Sequence, residues 1–372
     1  MSYEKIEIGR LVALRQGFAI NKKTNHHISD EPTNLHLLRI GDMKDGNFSI
    51  FVKNTISEKF IAKENDIIFT RTGQVGLVFR KQYGVVHNNC FTVTTIDEDV
   101  LLQEFIYYAL QEKSFYEEAV RRATGAAQPD LSHSAFNSIQ IYLPPIEKQR
   151  KITNILNAYD ILIENNKKQI KLLEEAAERL YREWFVDLHF PGYEDVKVVD
   201  GVPEGWKRVT VTDLLDIKYG KDHKKLEQGY VPVYGSGGIM RMVKPILYSG
   251  ESVLIPRKGS LNNILYVFGD FWTIDTMFYS IPKVDRIAKY IYHFLKGLDM
   301  YSYNIGAAVP SMTVNILSSI SVICPTQEVL QDFDKVLTPL YKKISLLKSN
   351  IDLLVQSRDL LLPKLMSGEI EV

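Results

Sequence analysis

The chain has 372 residues, 45% hydrophobic and 11% aromatic, with 45 basic against 45 acidic side chains and a formal net charge of zero. That length allows two or three domains with real cores. Missing are an apolar run of the eighteen or so residues a membrane span needs, an apolar signal-peptide core in the opening MSYEKIEIGR, and the cysteine count of a disulfide framework or Cys-rich metal site, which points to a cytoplasmic protein.

Residues 1–145 read as short and β-rich. β-branched and aromatic runs at 35–40, 48–52, 66–69, 76–79 and 90–96 are separated by turn signals such as Gly41-Asp42 and Asp45-Gly46. One amphipathic helix is expected over 101–122, with Phe105, Ile106, Ala109, Leu110, Phe115 and Val120 on its apolar face. Cys90, like Cys324 later, reads as a small buried hydrophobe.

From Ile146 to Phe185 the pattern changes to a long helix. Ile152, Ile155, Tyr159, Ile163, Asn166, Ile170, Leu173, Ala177, Leu180 and Trp184 recur in alternating steps of three and four, which is a coiled-coil seam. Asn166 is its one polar member and is expected to fix register. About forty helical residues make a rod of about 60 Å, longer than one small core needs.

After a linker at 186–203, the region 204–326 repeats the first, and 327–366 repeats the helix, leaving a short tail at 367–372. Phe333, Val336, Leu340, Ile344, Leu347, Ile351, Leu354, Leu361 and Leu365 each follow their first-helix counterparts by 181 positions. Two entries differ in kind: Asn166 becomes Leu347, and Ala177 becomes Arg358. The same offset relates the G-A-A-x-P elements at 125–129 and 306–310, whose small residues suggest a packing turn in which backbones approach closely. Residues 65–73 resemble 251–259, so Arg71 and Arg257 occupy matching places beside glycines. Between these anchors the second copy is some twenty residues shorter. The frame repeats while the filling differs, as in two modules doing one job on different targets.

The G-A-A-x-P element, Leu143-Pro144-Pro145-Ile146 with Gln149, the Glu175 to Phe185 helix end, and the terminal LLPKLMSGEI at 361–370 together resemble the DNA-specificity subunit of a type I restriction-modification enzyme. The resemblance spans nearly the whole chain. It implies an α+β, internally duplicated fold: two target-recognition domains joined by two long antiparallel coiled-coil helices with pseudo-twofold symmetry. Function is then recognition of a bipartite DNA target, one half-site per domain, with the gap set by the helices. Implied partners are double-stranded DNA, two DNA adenine methyltransferase subunits and restriction motor-nuclease subunits. S-adenosylmethionine, ATP and Mg2+ would belong to those partners, with none in this chain.

Base readout favours polar loops, because Arg pairs with guanine and Asn or Gln with adenine in the major groove. In the first domain the candidates are Lys22, Lys23, Asn25 and His26, then Arg71, Thr72 and Gln74. In the second they are Lys221, His223, Lys224 and Lys225, then Ser236, Arg257, Lys258, Ser260, Asn262, Asn263 and Tyr303. Residues 204–325 carry 14 basic against 10 acidic side chains, while 1–145 carry 16 against 17. Neutral charge overall leaves room for another reading, a scaffold whose heads bind protein; steep loss of affinity with salt separates DNA binding from it. Enzyme readings lack support, since no cofactor loop, nucleotide-triphosphate motif or metal spacing such as H-E-x-x-H occurs.

Overall fold

The structure, a computed structural model, describes residues 3–303 and 311–372, so the second G-A-A-x-P element lies outside the described residues. The chain divides into two compact units, residues 1–166 with 350–372, and residues 167–349. Each unit takes in a stretch of both long helices, Ile146–Phe185 and Gln327–Ser367.

In the first unit a four-stranded antiparallel sheet runs in the order Val12–Gln16, Cys90–Thr95, Ile67–Thr70, Val78–Phe79. Its inner face carries Ile67, Phe69, Phe91 and Val93, which pack with Phe105, Ile106, Phe115 and Phe136. Glu4–Glu7 pairs with Gln140–Leu143. A second, five-stranded sheet contains the parallel pair Leu35–Leu38 and Gly84–Val86. Ile40–Asp45, expected as a turn, forms a short helix ended by Gly46 in the left-handed region.

The helix expected over 101–122 is two helices, Gln103–Ala109 and Lys113–Arg122. Leu110 and Phe115 are both buried, yet five residues of continuous helix would turn them about 140° apart. The break lets both face the core.

The second unit repeats the frame. Leu215–Tyr219, Met277–Pro282, Tyr248–Pro256 and Leu265–Thr273 lie in the same relative order, and Lys207–Thr210 pairs with Ser321–Cys324. Here the sheet continues through the parallel strand Val231–Gly235 to an edge strand, Gly238–Val243. The Gly17 and Gly220 positions explain the shared frame. A Cβ on Gly17 would stand 2.2 Å from the His87 carbonyl oxygen, and one on Gly220 2.0 Å from that of Ile274, so only glycine lets the strand end approach so closely.

Within each unit the two helix stretches run antiparallel. In the first, Lys148 reaches Glu371 and Asp160 pairs with Arg358. In the second, the Trp184 and Phe333 rings lie tilted at 5.6 Å and Glu174 meets Lys348. The seam residues Ile152, Ile163, Ala177, Trp184, Phe333, Ile344, Leu347 and Leu365 are buried, while Ile155, Tyr159, Asn166, Ile170, Leu173, Leu180, Leu340, Ile351, Leu354 and Leu361 are half-buried. Val336 is 45% exposed, and Leu337 is buried in its place. Leu156, Leu330 and Leu337 are buried outside the 3-4 seam, because near each unit's core the helix packs on the globular part as well as on its partner.

The Asn166 side chain makes no hydrogen bond among the described residues. The polar seam contact of the first unit is Asp160 with Arg358, at 2.7 Å, which gives Arg358 its place in an otherwise apolar series. The second unit has its own buried charge cluster, Lys289 between Asp334 and Glu251 at 2.7 and 2.5 Å.

Candidate nucleic-acid interface

In the first unit the chain leaves the strand Val12–Gln16 through Gly17, with Phe18 N–H donating to the Val86 carbonyl. The following loop shapes itself. Thr24 Oγ1 donates to the Ala19 carbonyl at 2.7 Å, Lys23 N–H donates to Asn21 Oδ1 at 2.9 Å, and His26 Nδ1 lies 2.9 Å from the Lys23 carbonyl. Lys22, Lys23, Asn25 and His26 are all exposed. A rigid loop with outward cations and an amide suits contact with an anionic polymer.

The second candidate group behaves differently. Arg71 does not face outward: its Nε and Nη2 donate to Asp130 at 3.1 and 2.6 Å, and its Nη1 donates to Gln16 Oε1 at 3.0 Å. Thr72 gives its hydroxyl to the same carboxylate, and Gln74 Oε1 accepts from Lys44 Nζ at 2.8 Å. The Arg71 guanidinium holds the Asp130 carboxyl below its ordinary range despite the opposing effect of burial. Of these three expected base readers, each already has an intramolecular partner. Gly73 keeps the turn tight at φ 81° and donates its N–H to the Pro129 carbonyl at 2.8 Å.

That network anchors the element at 125–129. Thr124 and Asp130 exchange backbone hydrogen bonds at 2.9 and 2.8 Å, closing a loop whose Gly125, Ala126, Ala127 and Gln128 are exposed. The expectation of a packing turn is therefore corrected. Gly125 is required, at φ 101° and with a Cβ that would meet the Gln128 carbonyl oxygen at 2.7 Å, but the alanines are not buried against anything.

In the second unit Lys221, Lys224 and Lys225 are exposed and His223 is half-buried. This loop is tied to the edge strand Gly238–Val243, since Arg241 Nη2 donates to the Leu226 carbonyl at 3.0 Å and Lys244 N–H to the Glu227 carbonyl. The same strand exposes Ile239, Met240 and Met242, so a basic loop and an apolar edge form one surface. Apolar side chains reading thymine methyls or wedging base steps lie outside a search for polar loops.

The turn at 257–263 meets the hairpin beside it. Asn263 Nδ2 donates to the Ser236 carbonyl at 2.8 Å, and a Cβ on Gly259 would touch Ser236 Oγ at 2.7 Å. Asn262 uses both ends of its amide internally, donating to Asp299 at 3.1 Å and accepting from Met300 N–H at 2.8 Å. Asn262 and Asn263 therefore brace the turn. Lys258 and Ser260 are exposed, Ser236 and Tyr303 half-buried, and Tyr301 holds the turn through its hydroxyl to the Gly259 carbonyl. Arg257 lies over the Tyr219 ring at 5.3 Å and donates to the Asp275 carbonyl at 3.2 Å.

Among the described residues no group of three His, Cys, Asp or Glu could hold a metal ion, and no helix is long and apolar enough to cross a membrane. Cys90 is fully buried, which pushes its thiol up to about 12.

Two stretches, residues 2–175 and 203–356, match the family model described as "Type I restriction modification DNA specificity domain". The chain is 26% identical over 361 residues to the type I restriction enzyme MjaIX specificity subunit of Methanocaldococcus jannaschii, covering 89% of this chain and 81% of that one. It is 22% identical over 403 residues to the HindI specificity subunit of Haemophilus influenzae, covering 83% and 87%. In fold it is similar to the crystal structure of a type I restriction-modification system S subunit from M. genitalium, with a TM-score of 0.61, 21% identity and coverage of 98% and 96%. Two matched stretches correspond to the two repeated frames, and the chain belongs to the family of type I restriction-modification DNA-specificity subunits, which recognise DNA and are not the catalytic subunits.

Proposed function

We propose that each unit reads one half of a split DNA target, and that the chain directs methyltransferase and motor-nuclease subunits to it. The observation that carries this reading is the pair of matched frames with unlike fillings. Strand order and the Gly17 and Gly220 approaches repeat, while the first unit fills the frame with a five-stranded sheet and the second with an edge hairpin. Equal frames with unequal reading surfaces suit two unlike half-sites. The exposed groups at 22–26 and 221–225, with Ser236, Lys258 and Ser260, are the DNA-facing candidates. The helices Ile146–Phe185 and Gln327–Ser367 set the spacing of the half-sites.

Docking of partner subunits on the helices is supported by their exposed apolar residues. Ile161, Leu162, Leu353 and Leu360 are 46–69% exposed in the first unit, and Leu172 and Leu346 are each 54% exposed in the second. Solvated helix faces do not ordinarily keep so many leucines in water. S-adenosylmethionine, ATP and Mg2+ belong to those partners.

The test is genome-wide mapping of methylated adenines in cells carrying this chain with its methyltransferase partner, before and after exchange of residues 1–145 for another recognition domain. A split motif of which one half changes is the expected result. Absence of any motif depending on this chain, with an active partner, refutes the reading.

A further inference from the structure

The two matched turns differ in charge. In the first unit Arg71 has Nε, Nη1 and Nη2 all engaged, by Asp130 and Gln16, and the residue after it is the neutral Thr72. Arginine and carboxylate sit together as a neutral pair, and that pair ties the turn to the exposed loop at 125–129.

The second unit keeps the frame of this arrangement without the carboxylate. Arg71 N–H donates to the Asn89 carbonyl while its carbonyl accepts from Leu131 N–H; Arg257 does the same with Thr276 and Met312. Thr72 bridges Asp130, and Lys258 bridges Ser311, the residue 181 positions on. Position 311 is therefore the counterpart of Asp130 and carries no charge. Gln16 is replaced by Tyr219, whose ring the Arg257 guanidinium overlies at 5.3 Å. Among the described residues Arg257 and Lys258 belong to no ion pair, and Asp275 offers Arg257 its carbonyl, not its carboxylate. The first turn with its partner is neutral, whereas the second presents two positive charges.

We propose that Arg257 and Lys258 contact DNA backbone phosphates, whereas Arg71 is a positioning residue that Asp130 withdraws from DNA. This rests on the reading that both units bind DNA. Phosphate contact favours cations that lose no carboxylate partner when they bind. Arg257 is preorganised by stacking on Tyr219 and Lys258 is exposed, while Arg71 would have to leave a bidentate carboxylate.

The full chain, copurified with its methyltransferase subunits, is titrated with a mixed-sequence DNA duplex over a series of salt concentrations. Arg257→Gln and Lys258→Gln are each expected to reduce the slope of log affinity against log salt by about 0.9, one phosphate contact apiece. Arg257→Lys keeps the slope, because one charge remains. Arg71→Gln, an equal loss of formal charge, leaves the slope at the wild-type value. Ser311→Asp supplies the missing carboxylate and lowers the slope as Arg257→Gln does. Thermal melting of each variant separates lost contact from lost fold, and Lys258→Gln, at an exposed position, carries the test if Arg257→Gln does not fold. Wild-type slopes in Arg257→Gln and Lys258→Gln, or an equal fall in Arg71→Gln, overturn the assignment. A wild-type complex with no salt slope overturns the DNA-binding reading beneath it.

Discussion

Replacing Asp160 with alanine is expected to destabilise the first unit by about 3 kcal/mol. The carboxylate is 7% exposed and accepts from Arg80 Nη2 at 2.7 Å, Tyr108 Oη at 2.8 Å and Arg358 Nη1 at 2.7 Å. Removing it leaves Arg80, 15% exposed, without a carboxylate partner, while Arg358, 21% exposed, keeps only its pair with the neighbouring Asp359 at 2.8 Å. Breaking a buried pair from one side costs about 3–5 kcal/mol, and the residual access of both arginines to water favours the lower figure. Arg358→Ala leaves Asp160 with Arg80 and Tyr108, so about 1.5 kcal/mol is expected. The double variant should fall short of the sum by about 1 kcal/mol, the coupling between groups in one network.

All three tryptophans, Trp184, Trp206 and Trp272, lie in the second unit, which makes the assay selective. Far-UV circular dichroism follows both units and tryptophan fluorescence only the second. Asp160→Ala should lower the melting of the first unit by about 6–12 °C and move the fluorescence transition less. Strict additivity of the two single variants, or an unchanged dichroism transition in Asp160→Ala, refutes the network. The second unit shows an uncharged alternative at the matching positions, Tyr341 and Ala177.

His293 predicts a pH dependence for the second unit. Burial, with Lys296 adding to it, lowers its pKa to about 3. The unfolded chain binds this proton near its ordinary value of about 6.5 while the folded unit does not, so stability is full above that value and falls as pH drops toward 3. Near pH 5 the loss is about 2 kcal/mol, read as a lower urea midpoint of tryptophan fluorescence, and His293→Phe should flatten the dependence. Gly17→Ala and Gly220→Ala should each cost about 1–3 kcal/mol by forcing apart packed backbone, whereas Gly41→Ala, with nothing within 4 Å, should not; thermal melting of the three decides. Leu353→Glu with Leu360→Glu should leave melting unchanged and abolish copurification of the methyltransferase subunits, if those exposed leucines are the docking face.

The duplication was legible because it is a matter of register. An offset of 181 carried through a heptad series and the G-A-A-x-P elements needs no distances. That Arg71 already has an intramolecular partner was not legible, for the opposite reason. Its partner Asp130 is 59 positions away and becomes a neighbour only when the sheet and the 125–129 loop are in place. The alanines of that loop have small side chains, which suit close packing and exposure equally, and only burial distinguishes the two. Val336 and Leu337 are adjacent apolar residues, and the globular part against which the helix lies selected the second.

What the residues determined by themselves was periodic and local: two repeats, two long helices with a 3-4 apolar seam, and β-rich modules with polar loops. Hydrophobic spacing dictates these because burial of one face is decided within a few turns or one strand. What the tertiary structure decided was which charges are spent. Asp130 neutralises Arg71, whereas Arg257 has no carboxylate partner among the described residues, and Asp160 draws Arg358 into the seam. A charge's availability depends on the distance to its nearest counter-charge, and that distance exists only in the folded chain.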